Sequence, residues 1–411
     1  VNASSSAAVA AVVPQHASDL ARLCVLLEDG LPVVTVIGKY NHGKSMLLNE
    51  LMGCTTFEVA DKRQTVALSE RLLDGVRWLD APGLDADVGS DDDRHALHAA
   101  WTASDVRLFV HAAKEGELDG NELALMQQLQ ADSTRTQRQT LFILSQADQL
   151  SDEAAMQAVS GAIGTQLPSL AMHSVSSMRH RRGIDSHKAL LVERSGLPQL
   201  HAVLAAALQR VPAARVHERK LLFADIWRSL DNLQGRQQQA LQALLDLQQA
   251  QRLAFDTGLR AVIVKVGAAI GAMLDTLGFD HAAVADTAKD AYAVTAGKQE
   301  RATIQIAYSR ACIEIDSYLA GQGVVDLPMQ QQTIARVMNT VMIAVMGVSV
   351  KFRKDLRRMF CTEDGRARLA RDFTHYYELS AERMMLVGRI EQARHQLGAT
   401  AAACDALRDL E

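Results

Sequence analysis

Eight consecutive residues, Gly38, Lys39, Tyr40, Asn41, His42, Gly43, Lys44 and Ser45, follow the order G-x-x-x-x-G-K-S. Binding a polyphosphate needs this order. Glycines let backbone N–H groups turn around the phosphates, the lysine reaches the outer phosphates, and the serine hydroxyl ligates Mg2+. An apolar run, residues 31–38 (LPVVTVIG), precedes the loop and a helical pattern follows it, so Gly38, Asn41, His42, Gly43, Lys44, Ser45 and Met46 are the expected nucleotide contacts. Downstream, Trp78-Leu79-Asp80-Ala81-Pro82-Gly83 closes a strand with D-x-x-G. There Asp80 would hold Mg2+ through water and the Gly83 N–H would sense the terminal phosphate. Thr65, between the two motifs, is a candidate third contributor at Mg2+; an ordinary loop threonine is the alternative. Ser145-Gln146-Ala147-Asp148 ends a further apolar run, and the Asp148 carboxylate can accept from N1 and N2 of guanine, donors that adenine lacks. Ser174-Val175-Ser176-Ser177, with Ser176 at its centre, reads equally as a backbone contact to the guanine O6 or as a plain polar loop.

Positioning these groups calls for a parallel sheet. Residues 31–38 are the continuous β-branched run of a strand buried on both faces, and similar runs recur at 76–79, 106–112 and 140–145. Helical patterns at 45–52 and 121–129 alternate with them, so the expected head is α/β, a mostly parallel sheet covered by helices. Six of the seven prolines lie at or before Pro212, and beyond it only Pro328 remains, which predicts a long helical region. Charge divides there as well, net −7 for residues 1–212 and net +2 for 213–411. The expected domains are a tail and helix at 1–30, the nucleotide-binding head at 31–212, and an all-α bundle or stalk at 213–411. Ile226, Leu230, Leu233, Gln237, Ala240, Leu244, Leu247, Gln251 and Ala254 form a 4-3-4-3 seam of the coiled-coil or antiparallel-bundle type. A short helix at 18–28, capped by Ser18 with Leu20, Leu23 and Leu27 on one face, is expected to pack on that bundle, and residues 1–12 read as a tail.

The composition of the 411 residues, 48% apolar and 22% charged, excludes disorder and collagen-like repeats. A net charge of −5 argues against a broad nucleic-acid-binding field. Five cysteines with no Cys-x-x-Cys spacing read as free thiols of a reducing compartment. The expected location is cytoplasmic, or peripheral at the inner membrane.

Taken together, GKYNHGKSMLLNELMG, Thr65, DAPG and SQAD resemble the translation-factor-related P-loop GTPases. The loop and its helix are similar to the Era/TrmE group. The long helical region, the N-terminal helix and the stretch EGELDGNELALMQQL resemble bacterial dynamin-like proteins. The resemblance implies GTP and GDP as ligands, Mg2+ as cofactor, and hydrolysis of GTP. Gln146 stands where such proteins usually carry a lysine over the base. Leu84 follows D-x-x-G, so the glutamine that orients attacking water in Ras-like proteins is absent. Asn41 matches the Era/TrmE asparagine that holds a monovalent cation, which would make K+ a further cofactor; capping of the loop is the alternative role.

The dynamin-like resemblance implies nucleotide-dependent assembly on a membrane or with a partner chain, through the head or the stalk. An Era/TrmE-like switch acting on RNA or ribosomal particles, or a helical half that only contacts proteins, are the other readings. Residues 337–350 carry no charge and are followed by Lys351, Arg353, Lys354, Arg357 and Arg358. Val337, Val341, Ile343, Val345, Lys351, Arg353 and Lys354 are therefore candidate contacts to an anionic membrane, and burial of the same stretch in the bundle is the competing expectation.

Overall fold

The computed structural model describes residues 3–28, 30–54, 69–81, 98–168, 170–290, 292–335 and 338–411. Its chain divides into two units, Val1–Leu233 with Thr400–Glu411, and Gln234–Ala399. Helices α1 (Ala3–Val12) and α2 (Ala17–Leu27) open the first unit. Strands β1 (Val33–Ile37), β2 (Ser69–Leu73), β3 (Val76–Asp80), β4 (Val106–Ala112), β5 (Gln139–Ser145) and β6 (Met172–Ser174) form one sheet in the order β2-β3-β1-β4-β5-β6. Only β2 runs antiparallel to its neighbour β3; the pairs β3–β1, β1–β4, β4–β5 and β5–β6 are parallel.

Helices cover both faces, as an all-buried parallel sheet requires. One face packs Val34, Val36, Val106, Leu108 and Ile143 against Leu47 and Leu51 of α3 (Lys44–Met52) and against Leu197, Leu200 and Leu204. The other packs Ile37, Phe109, Phe142 and Leu144 against Met126 and Leu129 of α4 (Gly120–Thr136) and Ile163 of α5 (Glu153–Gln166). α6 (Ser177–Asp185) and α7 (Ala189–Glu193) complete the sheet's connections before α8 (Leu197–Thr276).

The expected boundary at 212 falls inside α8, which continues through Pro212. The head therefore includes the first part of this helix, through Leu233. Residues expected as a tail are helical, because Val9 and Val13 join Leu20, Leu23, Ile226, Leu230, Leu407 and Leu410 in one apolar cluster. α2 begins at Ala17 without a side-chain cap, so Ser18 does not act as its N-cap.

Charges are buried in the first unit as well. Glu218, 1% exposed, accepts from Arg22 Nε at 3.1 Å and from Arg22 Nη2 at 2.8 Å, and its Oε1 lies 3.1 Å from Arg138 Nε. Asp105 accepts from Arg22 Nη2 at 2.9 Å, from Arg215 Nη2 at 2.6 Å and from Val33 N at 2.8 Å. Arg107 and Arg138 share Asp132 Oδ2 at 2.7 and 2.8 Å. Burial pushes the Arg107 guanidinium down to about 10. Buried ions of this kind hold only when each is paired and hydrogen-bonded.

The second unit is helical: the rest of α8 up to Thr276, α9 (Ala296–Gly321), α10 (Val341–Met346), α11 (Arg353–Phe360), α12 (Glu363–Glu378) and α13 (Ala381–Arg408) up to Ala399. Its core joins Phe255, Leu259, Ile263, Val266, Ile270 and Leu274 of α8 to Ile304, Tyr308, Ile315, Phe360 and Phe373. α8 contains a window long and apolar enough to cross a membrane, yet this face of it is buried in the unit's own core. The 4-3-4-3 seam is not continuously buried: Leu247 is exposed and Leu244 half-buried, and burial resumes at Phe255. Gln237 and Gln251 on the seam account for the interruption, since a buried amide without partners is costly.

The uncharged stretch at 337–350 is not one long helix. α10 has six residues and ends at Gly347, whose φ of +77° suits glycine. Val341, Met342 and Met346 are core residues, Val345 packs against that core, and the Tyr308 hydroxyl donates to Met346 O at 2.7 Å. Ile343 is half-buried, and Val337 lies outside the described residues. Among the cations, Arg353 pairs with Glu300 and donates to Gly278 O and Phe279 O, and Arg357 donates to Asp275 at 2.8 Å. Lys351 and Lys354 are exposed. The core and these acids account for both the apolar stretch and part of the basic run.

Candidate nucleotide site

β1, β3 and β5 are parallel, so the loops at their carboxyl ends meet at one edge of the sheet. Register brings Val36 opposite Asp80, and Ala112 opposite Ser145. Gly38 is required at the start of the loop. Its φ is +146°, and a Cβ there would sit 2.2 Å from Val110 O on β4. Asn41 (φ +59°) and Gly43 (φ +83°) are left-handed, the turn geometry that lets successive amides line an anion. α3 starts at Lys44 with no side-chain cap at Gly43, which leaves its first-turn N–H groups for a ligand anion. Lys44 is buried and donates from Nζ to Lys39 O at 2.9 Å. Met46 lies in the first turn of α3.

Ser45 and Asp80 meet directly. Ser45 Oγ donates to Asp80 Oδ2 at 2.6 Å. Asp80 is 3% exposed, and its Oδ1 has no hydrogen-bond partner among the described residues. Burial pushes the Asp80 carboxyl up, opposed by the Ser45 hydrogen bond and the Lys44 charge. An orphaned carboxylate oxygen beside a hydroxyl is a hard-oxygen donor set that fits Mg2+. Bound there, Mg2+ would supply positive charge to the phosphate oxygens. Thr65, Gly83 and Leu84 lie outside the described residues.

On the base side, Ser145 is buried; its Oγ lies 2.6 Å from His42 O and 3.1 Å from His111 O, tying β5 to the phosphate loop. Gln146 is left-handed (φ +55°) and donates from Nε2 to Asn41 O at 2.7 Å. It thus links the base-reading turn to the phosphate loop. Asp148 is exposed, and its Oδ1 accepts from the buried Ser176 hydroxyl at 2.5 Å. Ser176 caps α6 by accepting from Arg179 N at 3.0 Å, while its own N–H donates to Ser195 O at 2.9 Å. Its amide is therefore engaged within the fold, and its contribution to base recognition is to orient Asp148.

Sequence reasoning missed the surroundings of the loop. Lys39 pairs with Asp119, and its Nζ lies 3.4 Å from Glu122. Asp119 and Glu122 form a capping box at the start of α4, so the stretch 115–129 has a structural role in closing a helix terminus. The D-x-x-E spacing was the available signal. Beneath the loop, His42, His111 and Glu122 are buried together.

Residues 33–146 match a family model described as a 50S ribosome-binding GTPase. GTPase Der of Thermoanaerobacter pseudethanolicus is 35% identical over 100 residues, 22% of each chain. Among solved structures, an Aquifex aeolicus Era variant bound to GDP and aluminium fluoride is 20% identical, covering 39% of this chain and 56% of that one, with a TM-score of 0.31. An uncharacterised protein of Acinetobacter baylyi is 47% identical over 404 residues, 98% of this chain and 96% of its own length. The similarity to that protein extends through both units, so the chain belongs to its family, and it is a translation-factor-related P-loop GTPase that binds GTP or GDP with Mg2+ and hydrolyses GTP.

Proposed function

We propose that this GTPase is a regulatory switch whose partner is a ribosomal particle, in the first instance the large subunit. One observation carries the reading: the segment matching the 50S ribosome-binding GTPase model, residues 33–146, contains the phosphate loop, Asp80 and Gln146. The geometry suits a switch, because Gln146 and Ser145 connect the base-reading turn to the phosphate loop. Membrane-driven assembly has less support, since Val341, Met342 and Met346 are spent on the second unit's core. In this reading the chain acts in the cytoplasm, and K+ beside Asn41 supplies charge to a site where Leu84 cannot orient water. Equal turnover in K+ and Na+ buffers would remove the K+ assignment.

The test is sedimentation of the full chain with purified ribosomal subunits, with a GTP analogue or GDP, beside anionic vesicles. Co-migration with the large subunit that depends on the analogue is expected. Binding to vesicles alone, or to neither in any nucleotide state, refutes the proposal.

A further inference from the structure

His42, His111 and Glu122 are 4%, 1% and 3% exposed, and the nucleotide chemistry uses none of their side chains. They come from three elements: the phosphate loop, β4 and the first turn of α4. One ligand atom of each lies within 4.8 Å of the others. His111 Nδ1 is 3.0 Å and His42 Nδ1 3.6 Å from the same oxygen, Glu122 Oε1.

The polar groups around them decide what can sit at that point. His111 Nε2 lies 3.1 Å from Gly116 O, and a carbonyl only accepts, so Nε2 carries a proton. A neutral His111 then directs its Nδ1 lone pair at a carboxylate oxygen 3.0 Å away. Two acceptors facing each other in a buried site repel unless something electropositive lies between them. The other oxygen, Glu122 Oε2, already has Lys39 Nζ and Asp119 N each at 3.4 Å, so Oε1 is the one left facing the imidazoles. A proton shared by His111 and Glu122 would remove that repulsion, but it gives no reason for a second imidazole to converge on Oε1.

A metal ion accounts for both approaches. Bonds of about 2.0–2.1 Å in a tetrahedral site put ligand atoms about 3.3 Å apart, and the observed 3.0 and 3.6 Å lie on either side of that spacing. The Nε2–H to carbonyl bond on His111 is the outer contact that fixes a ligating histidine's tautomer. We propose that His42, His111 and Glu122 form a buried site for a divalent first-row transition metal of the zinc class, separate from the Mg2+ position at Ser45 and Asp80. Protonation does not oppose loading at neutral pH. Burial holds the His42 imidazole down at about 4 despite the Glu122 charge. Burial pushes Glu122 up, and its contacts with His111, His42 and Lys39 overcome this and keep it below the usual carboxylate range.

The probe is Co2+, titrated into the nucleotide-free full chain after chelator dialysis and followed by the visible absorption of a four-coordinate cobalt ion. Saturation at one equivalent and displacement by Zn2+ are expected. His42→Ala and Glu122→Gln should each weaken Co2+ binding more than about tenfold, the scale on which even outer contacts act. Ser45→Ala should retain it, which separates the site from the Mg2+ position. Thermal melts identify a variant that fails to fold, in which case the other one decides. Absence of the visible band in the wild-type chain, or uptake by a folded His42→Ala or Glu122→Gln protein equal to wild type, overturns the proposal and leaves a proton between His111 and Glu122.

Discussion

Glu218→Gln removes one negative charge from the buried network while keeping the side chain's shape. The carboxylate faces Arg22 through bonds of 2.8 and 3.1 Å, and Arg138 Nε lies 3.1 Å from it. Breaking a buried ion pair by neutralising one partner costs about 3–5 kcal/mol, because the other charge stays buried. An independent route gives the same scale: charge-assisted hydrogen bonds are worth about 1.5–3 kcal/mol each, and two arginines lose theirs. Arg22 keeps Asp105 and Arg138 keeps Asp132, so the lower part of the range, about 3 kcal/mol, is expected. For a unit of this size that is a fall of about 6–12 °C in melting temperature. Trp78, Trp101 and Trp227 all lie in the first unit, so tryptophan fluorescence reports that unit alone during urea or thermal unfolding. A Glu218→Gln protein whose fluorescence transition moves by less than about 1 kcal/mol would refute the reasoning, because surface ion pairs already reach that value.

Lys44→Ala should lower GTP turnover by about 10²–10³-fold or more with the melting temperature nearly unchanged, measured by phosphate release, because the phosphates lose a buried cation. Asp80→Asn should cut Mg2+-dependent turnover by at least about a hundredfold, since a neutral amide replaces the carboxylate beside Ser45; Mg2+ titration of activity checks this. Burial pushes the Asp105 carboxyl up, but Arg215 and Arg22 hold it below the usual carboxylate range. Its folded pKa is therefore depressed, so its stabilisation is complete above the unfolded value of about 3.9 and is lost as pH falls through the folded one. Melting of the first unit should be less acid-sensitive below about pH 4 in Asp105→Asn than in wild type, from a lower starting value.

The sheet and the phosphate loop were legible because backbone geometry dictates residue type there. Gly38 has no substitute beneath Val110 O, and a strand buried on both faces must read as an apolar run. Asp80 was legible for a related reason, since it ends the strand in register with Val36, one step before the loop. What stayed hidden depends on partners far away in sequence. Arg22, Asp105, Arg138 and Glu218 each read as surface charges until folding brings them together. His42 and His111 looked like two of many scattered histidines, and only the pairing of β1 with β4 puts both beside Glu122. The stretch 337–350 misled because the absence of charge suits a membrane and a core equally, and Gly347 ends the helix early.

The two buried polar clusters lie at opposite ends of β1, and this separates their roles. At its amino end Asp105 accepts from Val33 N, and Arg215 donates to Leu31 O at 3.0 Å, so the charge network fixes where the strand enters the sheet. At its carboxyl end the strand delivers Gly38 and the loop that carries His42 and Lys44. Between them lie five buried residues in register with both β3 and β4, a short element with little freedom to slide, because a one-residue slip would reverse every side chain. Loss of the charge network should therefore lower the stability of the whole first unit while leaving the preference for guanine over adenine intact, since Asp148 and Ser176 are held by β5, β6 and α6 instead. Equal binding of ATP and GTP by a folded Glu218→Gln protein would contradict this division.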